Sequence, residues 1–528
     1  MTHQLEDFAQ KDGQGSERPK PGLRHLLTLD ARDGVEPPRG WLALALLCAA
    51  QFMVVLDFSI VNVALPSMQK SLGFSPTTLQ WVVSAYSLLF GGFLLLGGRA
   101  ADLFGRRRVF LLGLVLFTLA SLVGGFAQSP LELIVARASQ GLAASIVAPS
   151  VLSLITTTFP QGAGRNRALG TFGAVASAGF ASGVILGGLL TSAFGWRWVL
   201  FVNVPIGLTI IALTPLVLPE SRGAKKRLDL PGSAAVTLAL AVLIYALSQA
   251  NAAGWGSLQT MGLLVLAALL LVAFLSLEAR TRDPLVRLSI FRLRTLTGAD
   301  TCGLLFGASL GPTLFILTLY LQNVLGYSPV LTGFAFLPHA LIVTFTTNLV
   351  SRLTTRLGVK PGMVTGAVVL AVGLFWLSRM SAHDQYWAII LPGTLLVGLG
   401  VAFQIVTVAI AATEGVADDE QGLASGLFNT SQQVGSALGV AILVAVASAR
   451  TVALSTGSGG PGGSAALVGG FQSALLTAWD SRSSRWWSRF WLCARYASLG
   501  AKPVCERGEL SAVRCLPSRG EYTPVMGG

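Results

Sequence analysis

Leu56-Asp57-Phe58-Ser59-Ile60-Val61-Asn62-Val63-Ala64-Leu65-Pro66 closes an apolar run that begins at Trp41. The run is long enough to cross a bilayer as a helix, which takes about 20 residues. Yet it holds one carboxylate, Asp57. A charge at the centre of a membrane helix costs roughly 2.5–3.5 kcal/mol on insertion scales, so such residues face a partner or a water-filled cavity. Counted back from Leu65 at about 1.5 Å per residue, Asp57 lies roughly 12 Å from the end of the run. A short side chain does not reach bulk water from there, and a functional role is expected.

The rest of the chain has the same character. It has 528 residues, 53% of them hydrophobic and only 12% charged, with a mean hydropathy of +0.67. A soluble chain carries about twice that charge fraction. Thirteen apolar windows stand out, at 41–65, 79–98, 108–127, 131–155, 168–191, 198–218, 231–250, 259–278, 299–321, 331–350, 362–378, 387–411 and 423–449. The windows are too long and too uniform for barrel strands, which alternate over short segments. The fold class is therefore an all-α polytopic membrane protein.

Loop charge sets the orientation. With the N-terminus inside, eighteen Lys and Arg from Arg99 to Lys360 fall in inside loops, against Lys70, Arg197, Arg379 and Arg450 outside. This bias follows the positive-inside rule. The net charge of +13 is thus a topology signal directed at anionic lipid, and no nucleic-acid partner is implied. Glu414, Asp418, Asp419 and Glu420 make one inside loop acidic, which the rule tolerates. A multi-pass protein of the cell (plasma or inner) membrane is expected.

Covalent chemistry finds no support. The four His are scattered, the five Cys form no framework, and neither has metal-ligand spacing. No glycine motif for a nucleotide stands out, so neither a metal nor an organic cofactor is expected, and drive would come from a proton gradient.

Domain limits follow from composition. Residues 1–39 are polar and read as a disordered cytoplasmic tail. A six-helix bundle spans 40–220, two inserted helices and a cytoplasmic linker span 221–295, and a C-terminal bundle spans 296–479. The inserted spans at 231–250 and 259–278 are Leu/Ala/Val-rich, while the others are peppered with small and polar residues. Uniform spans suit lipid contact and small or polar residues suit close helix packing. Two halves around an insertion is the plan of a two-repeat transporter.

Several motifs carry chemistry. Gly98-Arg99-Ala100-Ala101-Asp102-Leu103-Phe104-Gly105-Arg106-Arg107-Arg108 joins spans two and three. Its glycines allow a tight turn, and Asp102 is placed to pair with Arg or to cap a helix. Gly98, Asp102, Gly105, Arg106 and Arg107 are the candidate conformational latch. The loop resembles motif A of the major facilitator superfamily. Leu133-x-x-x-Arg137-x-x-Gln140-Gly141 is similar to that family's motif B. The opening stretch resembles the first-helix motif of its 14-helix drug:proton antiporters, the EmrB/QacA-like subfamily. Gly195-Trp196-Arg197-Trp198, Phe201-Val202-Asn203-Val204-Pro205-Ile206-Gly207, Asp229-Leu230-Pro231-Gly232 and Gly254-Trp255 match it as well. The resemblance runs from about residue 40 to about residue 478.

It implies two six-helix halves with two inserted helices, alternating access, and proton-coupled efflux of drugs or antibiotics. On the fifth span, Gly179, Gly183, Gly187 and Gly188 form a close-packing stripe similar to motif C. Val184 stands where the family usually carries Pro, a departure that bears on the direction of transport.

The resemblance also places Asp57 and Arg137 on one central cavity. Arg137 enters its span roughly 9 Å from the outer end, a depth similar to that of Asp57. The two are expected to communicate directly or through water, with a proton on Asp57 toggling the link. Candidate cavity residues are Asn62, Gln140, His339, Gln404, Asn429 and Gln433, with Gln322, Asn323 and Gln432 beside them. His339 is placed either to take up protons or to be a satisfied packing residue. Asp300 lies close to the cytoplasmic end of its span and is expected to be hydrated. Trp81, Tyr86, Phe334 and Phe336 are candidate contacts for an apolar substrate.

The end of the chain departs from the subfamily, which carries a fourteenth span. Gly470–Trp479 starts like one and stops, and 480–528 is basic and interrupted. The last helix is therefore expected to be lost, through an altered reading frame or through an interfacial Trp/Arg segment. The substrate expected is an amphipathic or apolar small molecule, with protons and lipid as the other partners and a monomer as the working form. The alternatives are export of an endogenous metabolite or siderophore, or a defective, non-transporting membrane remnant.

Overall fold

The computed structural model describes residues 38–159, 163–218, 230–281, 290–291, 293–381, 386–414, 416, 421–456 and 463–483. The readings of 1–37 as disordered and of 484–528 as an altered frame lie outside the described residues.

The long helices are α1 (Pro38–Leu72), α2 (Trp81–Phe104), α3 (Arg106–Gly125), α4 (Pro130–Thr158), α5 (Ala163–Phe194), α6 (Asn203–Val217), α7 (Leu230–Ala253), α8 (Leu258–Arg280), α9 (Arg294–Leu319), α10 (Pro329–Leu357), α11 (Val359–Leu377), α12 (Leu391–Thr413), α13 (Gln421–Thr456) and α14 (Gly463–Ser483). Among the described residues, thirteen helices are long and apolar enough to cross a membrane. The fourteenth position is held by α14, whose apolar part is only Ala465–Ala478. At about 1.5 Å per residue it falls short of a hydrocarbon core of about 30 Å. It still seats Phe471, Ala474, Leu475 and Ala478 in the main core, and Gln472 donates to the Met380 carbonyl at 2.6 Å.

Helix ends carry local signals. Ser129 caps α4 by accepting from the Glu132 amide at 3.3 Å, and Glu132 in turn accepts from the amide of Gln128, the residue before the cap, at 2.8 Å. Gly105, at φ 100°, makes the break between α2 and α3, a backbone region that side-chain-bearing residues avoid. The helix of the opening stretch runs on past Pro66 to Leu72. Polar residues such as Gln69 and Lys70 end an apolar window without ending a helix, so Asp57 sits nearer mid-helix than the apolar run implies.

Helices α1–α6 form one bundle and α9–α14 the other. Successive helices alternate in direction, so Arg99, Arg106, Arg107, Arg108, Arg294 and Arg356 share one basic face. Towards the opposite face the two bundles are joined. Gln322 donates to the Val63 carbonyl at 2.8 Å. A β-carbon on Gly188 would come 2.9 Å from Val330 Cα, and one on Gly333 2.7 Å from the Val184 carbonyl.

Gly173 and Gly170 share the helical face of Val184 and Gly188 by their spacing. A β-carbon at either position would meet nothing within 4 Å. Helices α5 and α10 therefore part towards the basic face. The α2–α13 seam stays shut, with Thr430 Oγ1 donating to the Gly91 carbonyl at 3.1 Å and Gly426 against Leu95.

The inserted pair divides its roles. Helix α8 packs chiefly on α7 and is largely exposed, as its uniform composition implies. Helix α7 instead buttresses the seam, touching both α2 and α13, with Ser233 and Thr237 buried and Thr237 seated against Gly92.

The glycine stripe on α5 is split between two tasks. Gly179, Gly183 and Gly187 face α1, whereas Gly188 packs across to α10. A β-carbon on Gly183 would overlap Ser59 Oγ and lie 2.8 Å from the Leu56 carbonyl. Gly183→Ala is expected to destabilise by about 1–3 kcal/mol, the usual cost of overpacking. Thermal melts of purified protein check this, and an unchanged midpoint would remove the claim that this crossing is glycine-dependent.

Candidate functional site

Asp57 lies on the α1 face turned to α4 and α6, with no exposed surface. Its Oδ2 accepts from Arg137 Nη1 at 2.6 Å. Its Oδ1 accepts from Gln140 Nε2 at 2.9 Å and from Asn203 Nδ2 at 2.8 Å. Three donors on two carboxylate oxygens is a surrounding made for the ionised form. The expected link between Asp57 and Arg137 is thus direct.

Arg137 is equally committed. Nη1 also donates to Gln140 Oε1 at 2.9 Å, and Nε donates to the Val82 carbonyl at 3.1 Å. Its guanidinium lies 4.3 Å from the centroid of the Tyr86 ring, a cation–π contact. Helices α2 and α4 approach closely enough to allow this because Gly141 packs directly on the Tyr86 carbonyl.

Two members escaped the sequence reading. Asn203 opens α6 and lies within a quoted motif, but a role for it was not visible there. Ser121 on α3 accepts from Gln140 Nε2 at 2.7 Å and had no signal, since it resembles every other serine in an apolar span. One acceptor in the cluster is vacant: Asn203 Oδ1 is buried without a hydrogen-bond partner.

Residues expected to line the cavity separate into distinct places. Gln140 belongs to the Asp57 cluster. Gln404 tethers α12 to α11 through the Met363 carbonyl at 2.9 Å. Asn429 is exposed and donates to the Ser425 carbonyl, and Asn323 is also exposed. Gln433 packs on Gly91 in the α2–α13 seam, and Gln322 helps close the face opposite the basic one.

Asn62 does border a small void of about 10 Å³, with Ser59, Phe180, Val184, Thr318 and Phe336. His339 lies beside it, its ring 6.3 Å from that of Phe180 and its Nδ1 3.1 Å from the Thr394 carbonyl, the satisfied arrangement. This void sits where α5 and α10 begin to part. Helix α1 thus carries Asp57 on one face and Ser59 and Asn62 on another.

One residue of the candidate latch bonds within the N-terminal bundle: Arg107 donates to the Leu218 carbonyl at the end of α6, 2.9 Å away. Gly98 meets Pro149 of α4 at ordinary contact. The pairing expected of the Asp102 side chain lies outside the described residues. Asp300 departs from expectation: it is 7% exposed, and both carboxyl oxygens lack a partner. Neighbouring helices cover it, where distance to the helix end alone implies water. Among the described residues no group of His, Cys, Asp or Glu could hold a metal ion.

The family model described as Major Facilitator Superfamily matches residues 47–440. The puromycin resistance protein of Streptomyces alboniger is 43% identical over 421 residues, covering 79% of this chain and 83% of the relative. The cephamycin export protein of Amycolatopsis lactamdurans is 42% identical over 439 residues, covering 82% and 88%. Among solved structures, a peptide transporter POT mutant with alafosfalin aligns at TM-score 0.62 and 16% identity, over 87% of this chain and 96% of its own. An inward-facing, unoccupied bacterial homolog of the human lysosomal transporter Spinster aligns at 0.58 and 15%, over 88% and 97%. At such identities these two likenesses concern the fold alone.

Proposed function

The chain belongs to the Major Facilitator Superfamily, and from that premise we propose that it exports amphipathic, antibiotic-like small molecules in exchange for protons, by alternating access. Relatives named for resistance to puromycin and lincomycin, and for export of cephamycin and tetracenomycin C, support the substrate class. The observation that carries the proton coupling is the buried Asp57–Arg137 pair, closed by Gln140 and Asn203.

The basic face is cytoplasmic in this reading, against the anionic leaflet of the cell membrane, and the protein works as a monomer. In the conformation described, α5 and α10 part towards the cytoplasm while the α2–α13 seam is shut, and the small void bordered by Asn62 lies at the apex of that parting. Asp57 is ionised here, which suits loading of substrate after proton release. When the opposite face opens, a proton reaches Asp57, weakens its hold on Arg137 and turns one carboxyl oxygen into a donor. A flip of the Asn203 amide supplies the matching acceptor, Oδ1. Because α1 bears both Asp57 and the void-lining residues Ser59 and Asn62, a shift at one face is felt at the other.

Proteoliposomes loaded with a fluorescent dye test this. Dye export should follow an imposed proton gradient and collapse with a protonophore. Export that survives the protonophore would overturn the coupling, and no dye movement at all would overturn the exporter. Export of the producer's own metabolite is a second reading, favoured by the relative named for cephamycin export. The three donors gathered on Asp57 and the packed α14 weigh against a non-transporting remnant.

A further inference from the structure

Asp57, Glu278 and Asp300 are the buried carboxyls among the described residues; of these, Asp300 has both oxygens without a hydrogen-bond partner, and the mechanism above does not use it. It lies on α9, six residues past Arg294, or about 9 Å along the helix. Three residues later Gly303 packs on the Phe428 ring, where a β-carbon would come within 2.9 Å. By helical spacing Asp300 shares that face, turned to α13. The same stretch contributes Leu296, Ala299 and Cys302 to an apolar cluster with Leu96 of α2, Val408 of α12 and Leu427 of α13.

That cluster closes the seam between the halves at the basic face. Charged groups brought to this end include Arg294 on α9, Arg99 on α2, Lys360 on α11, whose Val359 and Met363 join the cluster, and Glu414 at the end of α12. Asp300 makes no hydrogen bond or ion pair with any of them among the described residues. An ionised carboxylate without a donor is not tolerated in such a place, and a neutral carboxyl is.

We propose that Asp300 is a second proton-carrying site, neutral while the seam of α2, α9 and α13 is closed and ionised when that seam opens to water. The proposal rests on the exporter reading above. It adds a proton whose release marks movement of the C-terminal bundle, as that of Asp57 marks the N-terminal one.

Infrared difference spectroscopy of the full chain in nanodiscs reads the carboxyl directly. At neutral pH the protein should show a protonated-carboxyl band that Asp300→Asn removes and Asp57→Asn leaves. A band unaffected by Asp300→Asn overturns the proposal. In proteoliposomes, the protons moved per dye exported should fall by about one in Asp300→Asn, one titrating group fewer in the linkage. An unchanged ratio overturns its part in coupling.

Asp300→Leu should fold with an unchanged melting temperature, because an unpartnered carboxyl has no bond to lose. Unfolding of both variants would overturn the proposal by revealing a required partner. The band needs no transport, so a protein that moved no dye would sink the exporter reading while the Asp300 result stood.

Discussion

Asp57→Asn abolishes gradient-driven export. In proteoliposomes the initial rate should fall roughly 100-fold or more, the rate equivalent of about 3 kcal/mol, the lower end of the cost of breaking a buried ion pair. Asparagine keeps the shape of the side chain but can neither carry nor release a proton. It also leaves Arg137 without a counter-charge while Gln140 and Asn203 lose a charged acceptor. Dye binding should persist, because the face of α1 that carries Asn62, towards Phe180 and Phe336, is turned away from Asp57. Loss of transport with binding intact separates a coupling defect from misfolding. Unimpaired coupled transport in this variant would end the assignment of Asp57 as the proton carrier.

Arg137→Ala should be the most damaging single change to stability, at about 3–5 kcal/mol. It strands Asp57 as a buried, uncompensated carboxylate, removes the bond to the Val82 carbonyl and empties the space against Tyr86. Adding Asp57→Asn to Arg137→Ala should restore part of the loss, because the stranded charge is then gone. Two groups in direct contact typically couple by about 0.5–3 kcal/mol. Denaturation of the four proteins of this cycle in one detergent checks both statements. Simple additivity would mean that the 2.6 Å contact contributes nothing as a pair.

Much of this was legible in the chain. Asp57 stood out because a charge in an apolar run has few innocent explanations, and Arg137 because it lies at matching depth on another span. Gln140 came with Arg137, three residues on and so on the same helical face, though it was assigned to the cavity. What the sequence hid is informative. Asn203 and Ser121 are separated from Asp57 by many residues, and neither carries a cost in lipid large enough to mark it. Asp300 was misread because distance to a helix end measures depth only when no neighbouring helix covers the side chain. The tether at Gln404 and the exposure of Asn429 were equally invisible, since polarity alone does not say which helix face meets a neighbour.

By itself the sequence determined the helical class and the count of thirteen full spans. These follow from hydropathy and charge, which act through the solvent on each segment separately. The tertiary structure alone decided which polar groups meet. It brought α4 and α6 onto Asp57, set Gly183 against α1 but Gly188 against α10, and turned α7 from a lipid-facing filler into a buttress. Those outcomes depend on how helix faces interlock at close range, which no single segment encodes.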